Sequence, residues 1–147
     1  MKKIFITIII IVTIIVVYNE YPRSGSFNDL ILSKYPEKQF NEIEIAKECN
    51  HKICNDIDKI NEFLGYLDKL QLIEYKWSIP REEDDSYWIS IYNKGNGLIG
   101  VIIENKNFIS IHVTGDHRIR KYKIINTSLN MKYIEEFYNN SIDEKLP

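Results

Sequence analysis

A chain of 147 residues that is 44% hydrophobic and 12% aromatic holds enough apolar material for a domain with a real core, and too much for disorder. The formal charge is −2, and the 19 basic residues form no basic run. Nucleic acid is therefore not an expected partner, because phosphate contacts need clustered Lys and Arg.

Residues 1–18, MKKIFITIIIIVTIIVVY, place Lys2 and Lys3 ahead of an uncharged run over residues 4–18. As a helix that run is about 22 Å long, against the roughly 30 Å of a hydrocarbon core. A basic start before a short apolar core is the pattern of a signal peptide, yet no small residue stands just past Val17, where a peptidase would cut. Tyr18 and Tyr21 suit the headgroup level and would lengthen the span. The expectation is a signal anchor: a transmembrane helix that holds the protein in the cell membrane as a single pass. Lys2 and Lys3 stay inside, and the C-terminal domain lies outside the cytoplasm. Cleavage would make the protein secreted. Subtracting the two leader lysines from −2 leaves the exported part near −4, mildly acidic.

Residues 19–39 read as a tether punctuated by Pro22, Gly25 and Pro36, with a short helix over residues 27–35 capped by Ser26. Residues 40–147 read as a single extracytoplasmic α+β domain. Residues 42–48 (EIEIAKE) alternate as a half-buried strand. Cys49 and Cys54 follow. In an oxidising compartment they are expected to close a disulfide that pins the entry to the next helix. Free buried thiols are one alternative. A zinc site adding His51, with His112 or His117 as fourth ligand, is the other. Neither metal nor other cofactor is expected.

Residues 55–71 give the clearest helix, with Asn55 as cap and Ile57, Ile60, Leu64 and Leu67 on one broad apolar side. Gly65 within it suggests a strand passing close by. Strand patterns then run through residues 72–79, 87–93, 98–104, 108–114 and 119–125. Residues 81–85 form a charged, solvated connection, and tight turns fall at residues 94–97 and 105–107. Such short connections make antiparallel neighbours, hence a meander. Residues 130–141 close the chain as a short helix. The expected architecture is one long helix packed on a curved antiparallel meander, with a short C-terminal helix. This order of elements resembles that of a cystatin-type roll, a likeness that involves no motif residues.

Alternation puts Ile99, Val101, Ile103, Ile109, Ile111 and Val113 on an aliphatic face covered by the helix. The opposite face receives Trp88, Tyr92, Phe108 and His112 among hydroxyls and lysines, a composition that suits a ligand or a protein partner unless residues 27–35 or the last helix cover these aromatics, the more ordinary expectation. No nucleophile elbow or ordered calcium loop occurs. The sequence therefore reads as a membrane-anchored binding domain without catalytic activity. Its specific forms are an inhibitor or immunity-type protein, or an accessory subunit of an envelope complex, with a protein partner in the envelope. The alternative is a small envelope hydrolase that uses His112 as acid/base.

Overall fold

Alternating apolar and polar residues build most of this protein, and the helices are fitted around the sheet they form. The computed structural model describes residues 2–36, 39–80 and 86–143, so the charged connection at residues 81–85 lies outside them. A first helix, α1 (Lys2–Glu20), leads into β1 (Ser24–Ser26), α2 (Phe27–Leu30) and a 3-10 turn (Leu32–Lys34). Next come β2 (Glu42–Lys47), β3 (Asn50–Cys54), α3 (Ile57–Asp68) and β4 (Gln71–Glu74). The chain continues with β5 (Tyr87–Asn93), β6 (Asn96–Asn105), β7 (Phe108–Val113), β8 (Arg120–Ile124), α4 (Met131–Asn139) and β9 (Ile142–Asp143).

The nine described strands form one sheet in the order β1-β4-β8-β7-β6-β5-β2-β3-β9. Every pairing in it is antiparallel. Its centre is the meander β5 to β8. Lys94 at φ 50° and Gly95 at φ 76° supply the two positive-φ residues that a two-residue hairpin turn requires between β5 and β6. Between β6 and β7 the Asn105 side chain accepts the N–H of Asn107 at 2.9 Å, the local bond that makes Asn a turn residue.

One face of the sheet is core. Ile43, Ile45, Ile89, Ile91, Val101, Ile103, Ile109 and Ile111 are buried there. Phe27 and Ile31, the apolar side of α3, and Ile134 and Phe137 of α4 cover them. Phe63 of α3 stacks on Phe137 of α4 with ring centroids 4.3 Å apart, and Tyr66 meets Tyr133 at 4.5 Å. The caps are local. Ser26 closes a capping box with Asp29, and Asp56 accepts the N–H groups of Asp58 and Lys59.

Several expectations are corrected. The cystatin-like arrangement of one long helix on a four- or five-stranded meander is replaced by a sheet-dominated fold with short helices. At 12 residues α3 is about 18 Å long, whereas nine strands spaced about 4.8 Å apart extend over about 38 Å. One helix cannot cover that width, and α2, α3 and α4 share it. The helix is shorter than its pattern suggests because Asp56, not Asn55, is the cap, and Gln71 already belongs to β4. Gly65 faces open space, since a Cβ there would meet nothing within 4 Å. The supposed tether contributes β1, where Gly25 lies opposite Leu72. The strand expected over residues 72–79 ends at Glu74.

The disulfide is also overturned. Cys49 is exposed in the turn before β3, Cys54 is buried at the far end of that strand, and both thiols are free. Five residue steps along extended chain put their Cα atoms about 16 Å apart, where a bridge needs about 4.4–6.8 Å. Nor does the zinc alternative form: among the described residues no three His, Cys, Asp or Glu side chains are grouped to hold a metal.

The transmembrane helix and signal anchor are corrected on length. Among the described residues no helix is long and apolar enough to cross a membrane. Residues 4–17 cover only about 21 Å of the roughly 30 Å required. The aliphatic side chains described in that stretch are nonetheless half exposed or more on all sides of the helix.

Candidate functional site

The second face of the sheet faces outward. It carries every other residue of the central strands, and pairing registers arrange them in rows. One row runs His51, Ala46, Trp88, Ile102, Ser110 and Lys121 across β3, β2, β5, β6, β7 and β8. The next runs Ile53, Glu44, Ser90, Gly100 and His112. Neither the segment after Ser26 nor the last helix covers this face, because Phe27, Ile31, Ile134 and Phe137 are buried in the core on the other side.

All four residues singled out by alternation lie on this face, spread over it. Trp88 is 63% exposed near the middle of the sheet, flanked by Ala46 and Ile102. His112 is exposed opposite Gly100, and among the described residues no hydrogen bond reaches its ring. Phe108 is half-buried beneath Tyr75, with ring centroids 4.9 Å apart, and Tyr75 in turn meets Trp77 at 5.4 Å. Trp77 is 70% exposed, and its carbonyl accepts Lys121 Nζ at 3.4 Å. Tyr92 is half-buried at the β5–β6 bulge. Its ring lies close over Gly97, where a Cβ would approach it to 3.2 Å and press the ring aside by a few tenths of an ångström. Among the described residues no ring contact joins any two of these four. They mark a patch and do not converge on a pocket.

Two residues that the reading did not place on this face complete it. Glu44 accepts from Tyr92 Oη at 2.8 Å and lies 2.6 Å from His51 Nδ1. Two acceptors cannot approach so closely without a proton, so Nδ1 carries one and donates it. Nε2 is left for solvent. Burial pushes the Glu44 carboxyl up, but the hydrogen bonds from His51 and Tyr92 and the charge of His51 outweigh it, and the net shift is downward. Burial, then the hydrogen bond to Glu44 and its charge, raise Tyr92. Glu44 was legible as the polar side of β2. The contact with His51 was not, because it depends on the β2–β3 hairpin folding back at Glu48 and Cys49.

A second polar network stands at the other end of the sheet. Arg120 Nη1 lies 3.3 Å from Glu74 Oε1, and its Nη2 lies 3.1 Å from Asp116 Oδ2. The hydrogen bond from Arg120 holds Asp116 below its ordinary value of 3.8. Beside this network a cleft of about 1370 Å³ opens between α1 and the domain. A smaller cleft of about 230 Å³ lies between α3 and α4, beside Cys54, Glu62 and Tyr133. Comparison with known protein families, characterised proteins and solved structures gives no match to this chain.

Proposed function

We propose that this protein is a non-enzymatic binding domain that works outside the cytoplasm at a membrane surface, and that the outer face of its sheet docks a protein partner around Trp88. The observation that carries the reading is the exposure of Trp88 on a near-central strand, on the face opposite the core that α2, α3 and α4 cover. A tryptophan buries roughly 150–250 Å², so at 63% exposure about 3 kcal/mol of transfer free energy is left to be realised on association. The surroundings fit an interface. Ala46 and Ile102 extend the apolar centre, while Glu44, His51, Ser90, His112 and Lys121 form a polar rim. Neither described cleft is lined by the residues of this face, and a flat face suits a protein surface better than a small molecule. The apolar leader supports delivery to the envelope. Partners of the inhibitor, immunity or accessory-subunit kind all fit this description.

The test is capture from solubilised envelope extract on the immobilised full chain. Trp88→Ala is expected to lower the affinity for the captured partner about 30-fold, the effect of removing a hot-spot tryptophan worth about 2 kcal/mol. Undiminished capture contradicts the reading.

A second reading, an acid/base hydrolase, is favoured by one contact, the 2.6 Å approach of His51 Nδ1 to Glu44 that leaves Nε2 outward. The geometry supports His51 in that role rather than His112. A His51→Asn variant that abolishes hydrolysis of an activated ester while partner capture stays intact would favour this second reading.

A further inference from the structure

The chain beyond the leader is mildly acidic, yet five of its 17 basic residues (19 less Lys2 and Lys3) line the cleft where the leader enters the domain. The cleft there is lined by apolar, cationic and acidic side chains alike. Ile14 and Val17 of α1 form an apolar wall, continued by Leu30 of α2. The same lining includes Arg23 before β1, Lys34 in the 3-10 turn and Arg118 in the β7–β8 loop. All three cationic residues are exposed. The carboxylates nearby already have partners, Glu74 and Asp116 accepting the backbone N–H groups of Arg23 and Arg118 as well. Glu74 and Asp116 are held by Arg120, and Asp29 accepts the backbone N–H of Ser26. Among the described residues no carboxylate pairs with the side chains of Arg23, Lys34 or Arg118. The proximity follows from the chain itself, because only Tyr21, Pro22 and Arg23 separate the end of α1 from β1.

We infer that this cleft receives the anionic headgroups of phospholipids, with Arg23, Lys34 and Arg118 forming a cationic collar beside the leader. The inference rests on the proposed membrane location. An apolar helix wall beside a group of cations matches a molecule that joins acyl chains to a phosphate. Basic side chains beside an apolar segment are drawn to an anionic lipid surface within about a Debye length. The arrangement also orients the domain. The β1–β4–β8 side would rest on the headgroups, and Trp88 on the far half of the sheet would stay free for a partner.

The experiment is co-flotation of the full chain with vesicles of phosphatidylcholine alone, or containing 30 mol% phosphatidylglycerol. The wild type is expected to prefer the anionic vesicles, with the preference shrinking as salt is raised. Each cation near the surface contributes roughly fivefold, so Arg23→Gln, Lys34→Gln and Arg118→Gln together should remove about a hundredfold of affinity for the anionic vesicles. Each single substitution should remove about fivefold, so the collar is tested even if the triple variant folds poorly. The control combines Lys94→Gln, Lys106→Gln and Lys123→Gln, three exposed cations outside the cleft. It should leave the preference intact. An unchanged preference in the triple variant, or an equal loss in the control, overturns the collar. Equal binding of the wild type to both vesicles also overturns it, while the leader's contact with lipid stands. Binding to neither vesicle overturns the membrane location and the collar together.

Discussion

Along β5, Tyr87, Ile89 and Ile91 are buried against the core, while Trp88 between them stands 63% exposed on the opposite face. The two faces share one backbone, one hydrogen-bond ladder and neighbouring residues. They differ only in which side the helices cover. α2, α3 and α4 supply enough apolar surface to dress one side of a nine-stranded sheet, and the chain lays all three there. The inner face therefore carries the core, and on the outer face side chains such as Trp88 are left exposed. An antiparallel sheet can divide its work in this way because alternate side chains never meet.

The contrast is broken most directly by truncating a large side chain on each face. Phe63→Ala removes the ring that stacks on Phe137 and Tyr133 and should cost about 3–5 kcal/mol in urea unfolding. Trp88→Ala should change stability by no more than about 0.5 kcal/mol, its whole effect falling on partner affinity. If Trp88→Ala unfolds the domain as Phe63→Ala does, the outer face is structural. A smaller effect separates helix from sheet on the inner side. Asp56→Ala deletes the cap of α3 and should cost about 1 kcal/mol, read as an earlier urea midpoint with an unchanged slope.

The smallest effect tests the polar rim. The folded protein holds Glu44 below its ordinary value of 4.5, so its stabilisation is present above that pH and is lost as pH falls below it. Wild type should exceed Glu44→Gln by a few tenths of a kcal/mol near neutrality, and the gap should close between about pH 5 and pH 3. A gap that widens on acidification would refute the assigned contact.

The central strands were legible because period-two alternation is strong in them. The strand pattern at residues 87–93 coincides with β5, and it put Trp88, Tyr92, Phe108 and His112 on the face where they lie. Ser26 was legible as a cap, since a short polar side chain before an apolar run has few other uses. Residues 48–54 were not legible. The β2–β3 turn has neither Gly nor Asn at its bend; Glu48 itself takes φ 54°, a conformation held by the hairpin and not by preference. The two cysteines there suggested a bridge, where the chain instead needs five extended residues. β1 and β9, of three and two residues, exist only through pairing with neighbours, which a local pattern cannot reveal. The Glu44–His51 contact inherits the same difficulty, because it exists only in the register of that hairpin.

The chain has two tryptophans, Trp77 and Trp88, so fluorine NMR of the 5-fluorotryptophan-labelled protein reports on the outer face with two resonances. A Trp77→Phe variant assigns them. On addition of solubilised envelope extract, the Trp88 resonance is predicted to shift or broaden as its indole leaves water. A Trp88 resonance that keeps its position and width while the partner is bound would contradict the account.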